Sequence, residues 1–469
     1  MKIRNFLAAS AASTVFLTGC ASFSADGGFG KVSALTKERT GQAVAAQRTD
    51  ADGQAARARV TELLKEPLTA ESAVEVALLN NRGLQAKFGE LGIAESDLVR
   101  AGRLKNPSFS FGRLSGGGSV ETDRAVLFDV LGLLTMPVEK ELGQRRFEQA
   151  QYQAAYDAVS LAADVRRAYF EAVAAQELVT FFQHVKETAD ISNELAQRML
   201  KAGNFNKLTQ MREQAFQADA TAQLARATHQ GTAEREKLTR LLGLDGEQLN
   251  FRLPQRLPDL PKQLAAPQNA EQTAMDKRLD VQMAKRSAEA TARSLGLTKT
   301  TRFVNILEIG YQNKSETGSP RANGYEIELE LPFFDFGSAR AARAEATYLQ
   351  AVNRTAEVAV NARSEVREAY SAYRTSYELA RHYRDEVVPL RKRISEENLL
   401  RYNGMLISVF ELLTDAREQV AGVTGYVQAL RDFWVAETNL QTALTGRSPG
   451  PSSVSTPAAS AGGAAAQGH

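Results

Sequence analysis

The sequence is short of the residues that build reactive or metal-holding sites. One cysteine, Cys20, occurs in 469 residues. That excludes intrachain disulfides and any thiolate cluster around a metal. The four histidines, His184, His229, His382 and His469, lie far apart along the chain, which argues against an imidazole-held zinc or haem. No cluster of His, Cys or paired acids offers a nucleophile with its base, so nothing points to an enzyme or to a metal-binding protein of the cell envelope. An excess of one charge is missing too. Lys and Arg number 57 against 55 Asp and Glu, whereas nucleic-acid binders carry a strong basic surplus. What is present, 43% hydrophobic and 24% charged residues, suffices for a buried core and excludes a wholly disordered chain.

The first residues read as an address. Lys2 and Arg4 precede an apolar run from Phe6 to Leu17, shorter than the ~20 residues of a bilayer-spanning helix and right for a signal sequence. The run ends in Leu17-Thr18-Gly19-Cys20, which looks like a bacterial lipobox. Residues 1–19 are then cut away and Cys20 carries covalent lipid; no other cofactor is expected. A buried or free cysteine behind a general secretory signal is the plainer alternative. Residue 21 is Ala rather than Asp, which by resemblance to bacterial lipoproteins favours the outer membrane. Loss of Lys2 and Arg4 leaves 55 charges of each sign, so long-range electrostatic steering is weak.

The rest is written twice. Val165-Arg166-Arg167-Ala168-Tyr169 returns as Val366-Arg367-Glu368-Ala369-Tyr370, and Met136-Pro137 with Gly143 returns as Leu331-Pro332 with Gly337. Lys201-Ala202-Gly203 has its counterpart in Tyr402-Asn403-Gly404. The pattern divides the chain into a signal (1–19), a tether (20–66), a first repeat (67–248), a Pro-rich linker (249–266), a second repeat (267–446) and a disordered tail (447–469). Each repeat reads as helix, β-hairpin and two very long helices. The hairpins are expected at 107–135 and 302–333, the long helices at 138–202 and 206–242, then 336–402 and 405–445.

The helical evidence is a heptad-like step of 3 and 4. It runs through Ala362, Val366, Ala369, Tyr373, Ser376 and Ala380, through Val420, Val423, Val427, Leu430 and Trp434, and through Val165, Ala168, Ala172 and Ala175. A further seam is expected at Leu208, Met211, Ala215, Ala218, Ala222 and Ala225. Such a period means coiled-coil packing, and a helix of some 60 residues would reach roughly 90 Å. Helices alone would fit a plain rod. The strands do not. Tyr325, Ile327, Leu329, Leu331 and Phe333 alternate with Glu326, Glu328 and Glu330, and Phe109 and Phe111 alternate with Ser108, Ser110 and Gly112. A second apolar run, Ala125 to Leu134, completes the first hairpin. Period-2 alternation puts apolar and polar sets on opposite faces, and about 9–11 tilted residues span a bilayer. Four strands cannot close a barrel, and open edges are not tolerated in lipid, so several chains must contribute.

The plan resembles the TolC family of outer-membrane efflux proteins over about residues 67–446. The resemblance rests on Leu68-Thr69-Ala70-Glu71-Ser72-Ala73 with Asn80-Asn81, on Arg100-Ala101-Gly102-Arg103-Leu104-Lys105-Asn106-Pro107, on Leu331-Pro332-Phe333-Phe334-Asp335-Phe336-Gly337, and on Arg401-Tyr402-Asn403-Gly404 followed by Ser408 and Leu412-Leu413. Two departures stand out: Arg82-Gly83 replaces the family's Asn-Pro, and the first strand-to-helix exit lacks the aromatic-Asp pattern of the second. The resemblance implies an α+β membrane protein and a homotrimer. Four strands per chain would form a shared transmembrane β-barrel, continued by a periplasmic α-barrel of coiled-coil helices. The implied role is a passive exit duct of a tripartite efflux or type I secretion system in the outer membrane. A periplasmic adaptor (membrane fusion protein) would couple it to an inner-membrane pump. A lipid-anchored coiled-coil spacer without a pore is the alternative, against which the alternating strands count.

Three groups of residues are candidates for function. The helix-hairpin tips, Gly203-Asn204-Phe205-Asn206 and Gly404-Met405-Leu406 with Ser408, are by resemblance the adaptor-docking ends; glycine at such a reversal is otherwise only a turn residue. Glu411 matches a gate carboxylate of some family members, with Asp415 one turn on as a second ring; a solvated helix flank is the bland reading. Glu326, Glu328 and Glu330, repeated threefold, would line the pore and favour cations, or simply wet its wall.

Overall fold

The computed structural model describes residues 22–301, 306–329, 334 and 336–450. Cys20, Glu330, the Leu331-Pro332-Phe333 stretch, Asp335 and nearly all of the expected tail lie outside the described residues. The described residues are mostly helical with one four-stranded sheet. It divides into two compact units. The first gathers the described residues of Met1–Ala34 with Ala86–Ala155 and Leu279–Val360, and the second gathers those of Leu35–Gln85, Tyr156–Arg278 and Asn361–His469.

The sheet belongs to the first unit. Strands β1 (Ser108–Gly116), β2 (Ser119–Asp129), β3 (Leu307–Glu316) and β4 (Ala322–Leu329) lie side by side in chain order, antiparallel throughout. Gly117 and Gly118 turn β1 into β2 at φ 61° and 86°, backbone that only glycine adopts without penalty. The central pairing, β2 with β3, joins the two repeats. Partners across antiparallel strands share a face, so the register sorts the side chains. Phe109 faces Val126, Phe128 faces Ile309, Ile309 faces Ile327 and Tyr311 faces Tyr325. This apolar face is open: Tyr325 is 88% and Ile327 69% exposed. Ser108, Ser110, Gln312, Glu326 and Glu328 occupy the other face, as the alternation predicts.

Helices flank the hairpins in each repeat. In the first, α4 (Arg82–Ala101) leads into β1 and α5 (Val130–Lys201) leaves β2; in the second, α8 (Leu279–Thr301) precedes β3 and α9 (Ser338–His382) follows β4. Without the family's proline, α4 still starts after an extended Asn81 (ψ 111°), whose side chain accepts the Leu84 N–H at 2.9 Å. The first hairpin is shorter than expected. Its second strand stops at Asp129, and residues 130–137 are already helical. The cause is local: Asp129 accepts the Gly132 N–H at 2.7 Å and so caps a helix that Pro137, well past its first turn, does not stop.

The segment expected as a tether is built structure. It holds α1 (Phe29–Thr40) and α2 (Asp50–Leu63), the latter started by a Thr49–Asp52 capping box. Val32 and Val60 have no exposed surface. In the first unit Ser24 donates its amide N–H to Glu95 at 2.7 Å, and the Phe29 ring meets Phe88 edge-on at 5.0 Å.

The second unit is packed largely with alanine. It holds α3 (Ala70–Asn80), α6 (Lys207–Leu242), α7 (Ala270–Lys277), α10 (Val388–Asn403), α11 (Val409–Thr445) and the adjoining parts of α5 and α9. Ala168, Ala172, Ala362 and Ala369 are buried at the predicted 3–4 step beside Val165, Val366 and Tyr373. On α6 the period holds but the phase does not. Leu208 and Met211 are exposed, and Glu213, Phe216 and Ala220 are buried instead. A polar Glu213 inside the packed stripe is what hid that stripe from a hydrophobicity count. The second repeat's long helix is interrupted by a π turn, Tyr383–Val387, just before Pro389. The Pro-rich linker is extended, as proline dictates, yet its Phe251, Leu253, Leu257 and Leu260 are buried. Proline keeps its carbonyl as an acceptor: Trp434 donates to Pro258 O at 3.0 Å and Tyr377 to Pro261 O at 3.2 Å.

Candidate functional site

The polar face of the sheet is richer in carboxylate than the sequence suggested. Glu308 lies between Asp129 on β2 and Glu328 on β4 in directly paired register, so one row crosses three strands. Glu326 is half-buried and lies opposite Gly310. Lys105, just before β1, bonds Asp129 at 2.7 Å. Lys314 pairs with Glu121 on the same face near the turns. Of the three glutamates predicted from the alternation, two are placed here and Glu330 lies outside the described residues.

The two helix reversals differ. Gly203 takes φ 78° and closes α5, with Asn204 N–H donating to Met199 O at 2.9 Å. Asn206 then caps α6 by accepting the Thr209 N–H at 2.8 Å. In the second tip the left-handed residue is Met405 (φ 58°), whereas Gly404 has φ −79°. The expectation that glycine permits this reversal is corrected by one residue. A side chain in that region costs about 1–2 kcal/mol, and here the residue bearing it is 93% exposed. Leu406 is exposed as well, so an uncovered apolar pair marks this tip.

Glu411 is exposed in the first turn of α11. Its N–H reaches the Ser408 hydroxyl at 3.4 Å, and the Ser408–Glu411 spacing is that of a capping box. A carboxylate there also complements the helix dipole. Asp415 is only 4% exposed and neither carboxylate oxygen has a hydrogen-bond partner. It therefore sits in the packing of the helices, not on an open face, and the expected second ring is withdrawn. Glu213, 1% exposed, accepts from the Ser192 hydroxyl at 2.8 Å with its other oxygen unpartnered. Burial pushes its carboxyl above the ordinary range, against the pull of Ser192 and of the Arg417 guanidinium.

Comparison with known proteins gives the fold its place. The outer-membrane channel OprN superposes with a TM-score of 0.69 at 22% identity, over 83% of this chain and 92% of that one. The fold is that of an outer-membrane channel. VceC, an outer membrane protein of Vibrio cholerae, agrees with a TM-score of 0.66 at 15% identity, over 83% and 97% of the two chains. No family model matches the channel-fold chain. The cobalt-zinc-cadmium resistance protein CzcC of Cupriavidus metallidurans is 26% identical over 185 residues, 38% of this chain and 43% of CzcC. The match thus spans less than half the length of that relative. Within the channel fold, the carboxylate row was beyond sequence reasoning because Asp129 and Glu308 become neighbours only through the pairing between repeats. The Ser408–Glu411 spacing, by contrast, is a capping signal legible in the sequence itself.

Proposed function

We propose that this chain is one protomer of a trimeric exit duct in the outer membrane, a passive conduit fed by an inner-membrane pump through a periplasmic adaptor. One observation carries the reading: a four-stranded sheet with an exposed apolar face, a carboxylate-bearing face and two edges that no strand among the described residues pairs. In lipid such edges must be closed by further copies. The apolar face then meets hydrocarbon, and the row of Asp129, Glu308 and Glu328 faces water. A pore-less spacer leaves the open apolar sheet face unexplained. The tips at Gly203–Asn206 and Gly404–Ser408 are the ends offered to the adaptor. Three copies of Glu411 near the constriction would attract cations and repel anions. The cobalt-zinc-cadmium relative and the carboxylate row together favour small cations as cargo, and Cys20 supplies the lipid anchor.

Planar-bilayer recording of the purified full chain tests this. Trimers should conduct cations over anions and be blocked by divalent cations from the periplasmic side. Glu411→Ala should weaken that block with trimer yield unaltered. Trimeric protein that never conducts would sink the duct; unchanged block in the variant would reduce Glu411 to a helix cap.

A further inference from the structure

The two repeats place a basic cavity at corresponding points, just beyond the strands in the first unit. In the first repeat the cavity measures about 480 Å³ between α4 and the start of α5, and its walls include Arg100, Arg103, Lys105 and Arg146, with Asp97 and Glu139. In the second it measures about 200 Å³ between α8 and the start of α9, where Arg340 and Arg343 stand among the hydroxyls of Thr291, Ser294, Thr298 and Thr347. Among the described residues no carboxylate lines this second cavity. The hydroxyls of Thr291, Thr298 and Thr347 donate to helix carbonyls one turn back, and the paired guanidiniums supply the chemistry that holds a phosphate oxygen.

Exposed apolar side chains adjoin both in the sequence. Leu104, Leu133 and Leu134 are next to residues of the first cavity's wall, and Phe334 and Phe336 come shortly before Arg340. In each repeat the chain thus passes from the open apolar sheet face, through exposed leucine or phenylalanine, to a basic cavity. Hydrocarbon, interface and headgroup follow one another in that order at the edge of a bilayer, where aromatic residues collect at headgroup level and clustered arginines bind lipid phosphate. The N-terminal segment supports the same level. Ser24 is moored to Glu95, next to Ala94 in the wall of the first cavity, and Cys20 lies only four residues earlier in the sequence.

We propose that these cavities are headgroup sites for anionic phospholipid in the periplasmic leaflet, with Arg340 and Arg343 as the principal ligands of the second and Arg100 and Arg103 as those of the first. The proposal rests on the duct reading for its orientation. Phosphatidylglycerol and free inorganic phosphate share the recognised chemistry; the adjacent apolar side chains favour the lipid.

The test uses the full chain in mixed detergent micelles holding either dioleoylphosphatidylglycerol or dioleoylphosphatidylcholine, with retained lipid counted by mass spectrometry. Phosphatidylglycerol should be retained well above phosphatidylcholine. R340Q/R343Q should weaken binding at the second cavity about fivefold for each arginine removed and R100Q/R103Q should do the same at the first, so each variant keeps the lipid of the other site and the quadruple variant loses both. Inorganic phosphate should not displace the lipid. Equal retention of the two lipids by the unmodified chain, full retention by both variants, or displacement by phosphate would each overturn the proposal. The unmodified-chain comparison stands even if a variant fails to fold. Conductance of R340Q/R343Q in phosphatidylcholine bilayers should match the unmodified chain. A conducting trimer without lipid preference would refute these sites alone, whereas a lipid-selective trimer that never conducts would refute the duct alone.

Discussion

At the scale of single residues, Glu213 is the place where burial and charge conflict most openly. Arg417 from α11 and Ser192 from α5 face it, while Asp190 on α5 is engaged by Lys186 and Gln217. Its carboxyl is held above the ordinary range by burial, so the folded chain binds the proton more tightly than the unfolded chain does. Stability is therefore greatest below the ordinary glutamate range. It falls as pH rises from there through the raised value and stays reduced above it. Glu213→Gln keeps an acceptor for Ser192 and removes the charge. By removing the buried charge it is expected to raise neutral-pH stability by about 1 kcal/mol, the order of the desolvation penalty of such a group, and to flatten the stability curve over that window. Urea unfolding of the detergent-solubilised protein across the acidic range checks it. No gain at neutral pH would show that the attraction of Arg417 already offsets the burial.

At the scale of elements, the sheet gives the sharpest contrast. Leu329 and Glu328 are neighbours in β4 that point to opposite faces. If the apolar face meets lipid, Leu329→Arg should cost about 2–4 kcal/mol near the bilayer midplane and lower the yield of heat-resistant trimer on gels. Glu328→Arg should leave assembly intact and shift the reversal potential toward anions. The opposite pair of results would reverse inside and outside. How much of this was legible follows from what each signal measures. Period-2 alternation in residues 325–329 reads off both faces of β4, because neighbouring positions differ strongly in polarity. The end of β2 was not readable: Val130 to Leu134 is a short apolar run that suits strand or helix equally, and Asp129 decides for helix through one cap bond. The α6 seam failed for a different reason. Alanines and polar residues alternate there almost evenly, so tertiary packing around Phe216 and Glu213, not composition, sets the buried stripe. Likewise α1 and α2 look polar because only one or two positions per turn touch the core.

For the whole molecule, the proposed duct needs a device that holds it in the membrane. Two devices are available, and they are physically independent. An acylated Cys20 would add about 0.8 kcal/mol for each buried CH₂ of its chains, and stable anchoring by lipid alone takes more than one such signal. The exposed apolar face of the sheet, from Phe109 on β1 to Ile327 and Leu329 on β4, is a far larger area once closed by copies. Closure also satisfies the edge hydrogen bonds that lipid cannot. The barrel should therefore hold the protein without the lipid, and the lipid should act earlier, by delivering the chain to the membrane and fixing where its N-terminal segment enters. Cys20→Ser is accordingly expected to abolish incorporation of radiolabelled palmitate while leaving trimers that fractionate with outer membranes and resist carbonate extraction. Their rate of appearance after a pulse of synthesis should fall, not their final extractability. If the Cys20→Ser chain is still labelled, the lipobox assignment is wrong. If the unlabelled chain instead accumulates in the soluble periplasmic fraction, the sheet does not span the membrane by itself, and the lipid is the true anchor.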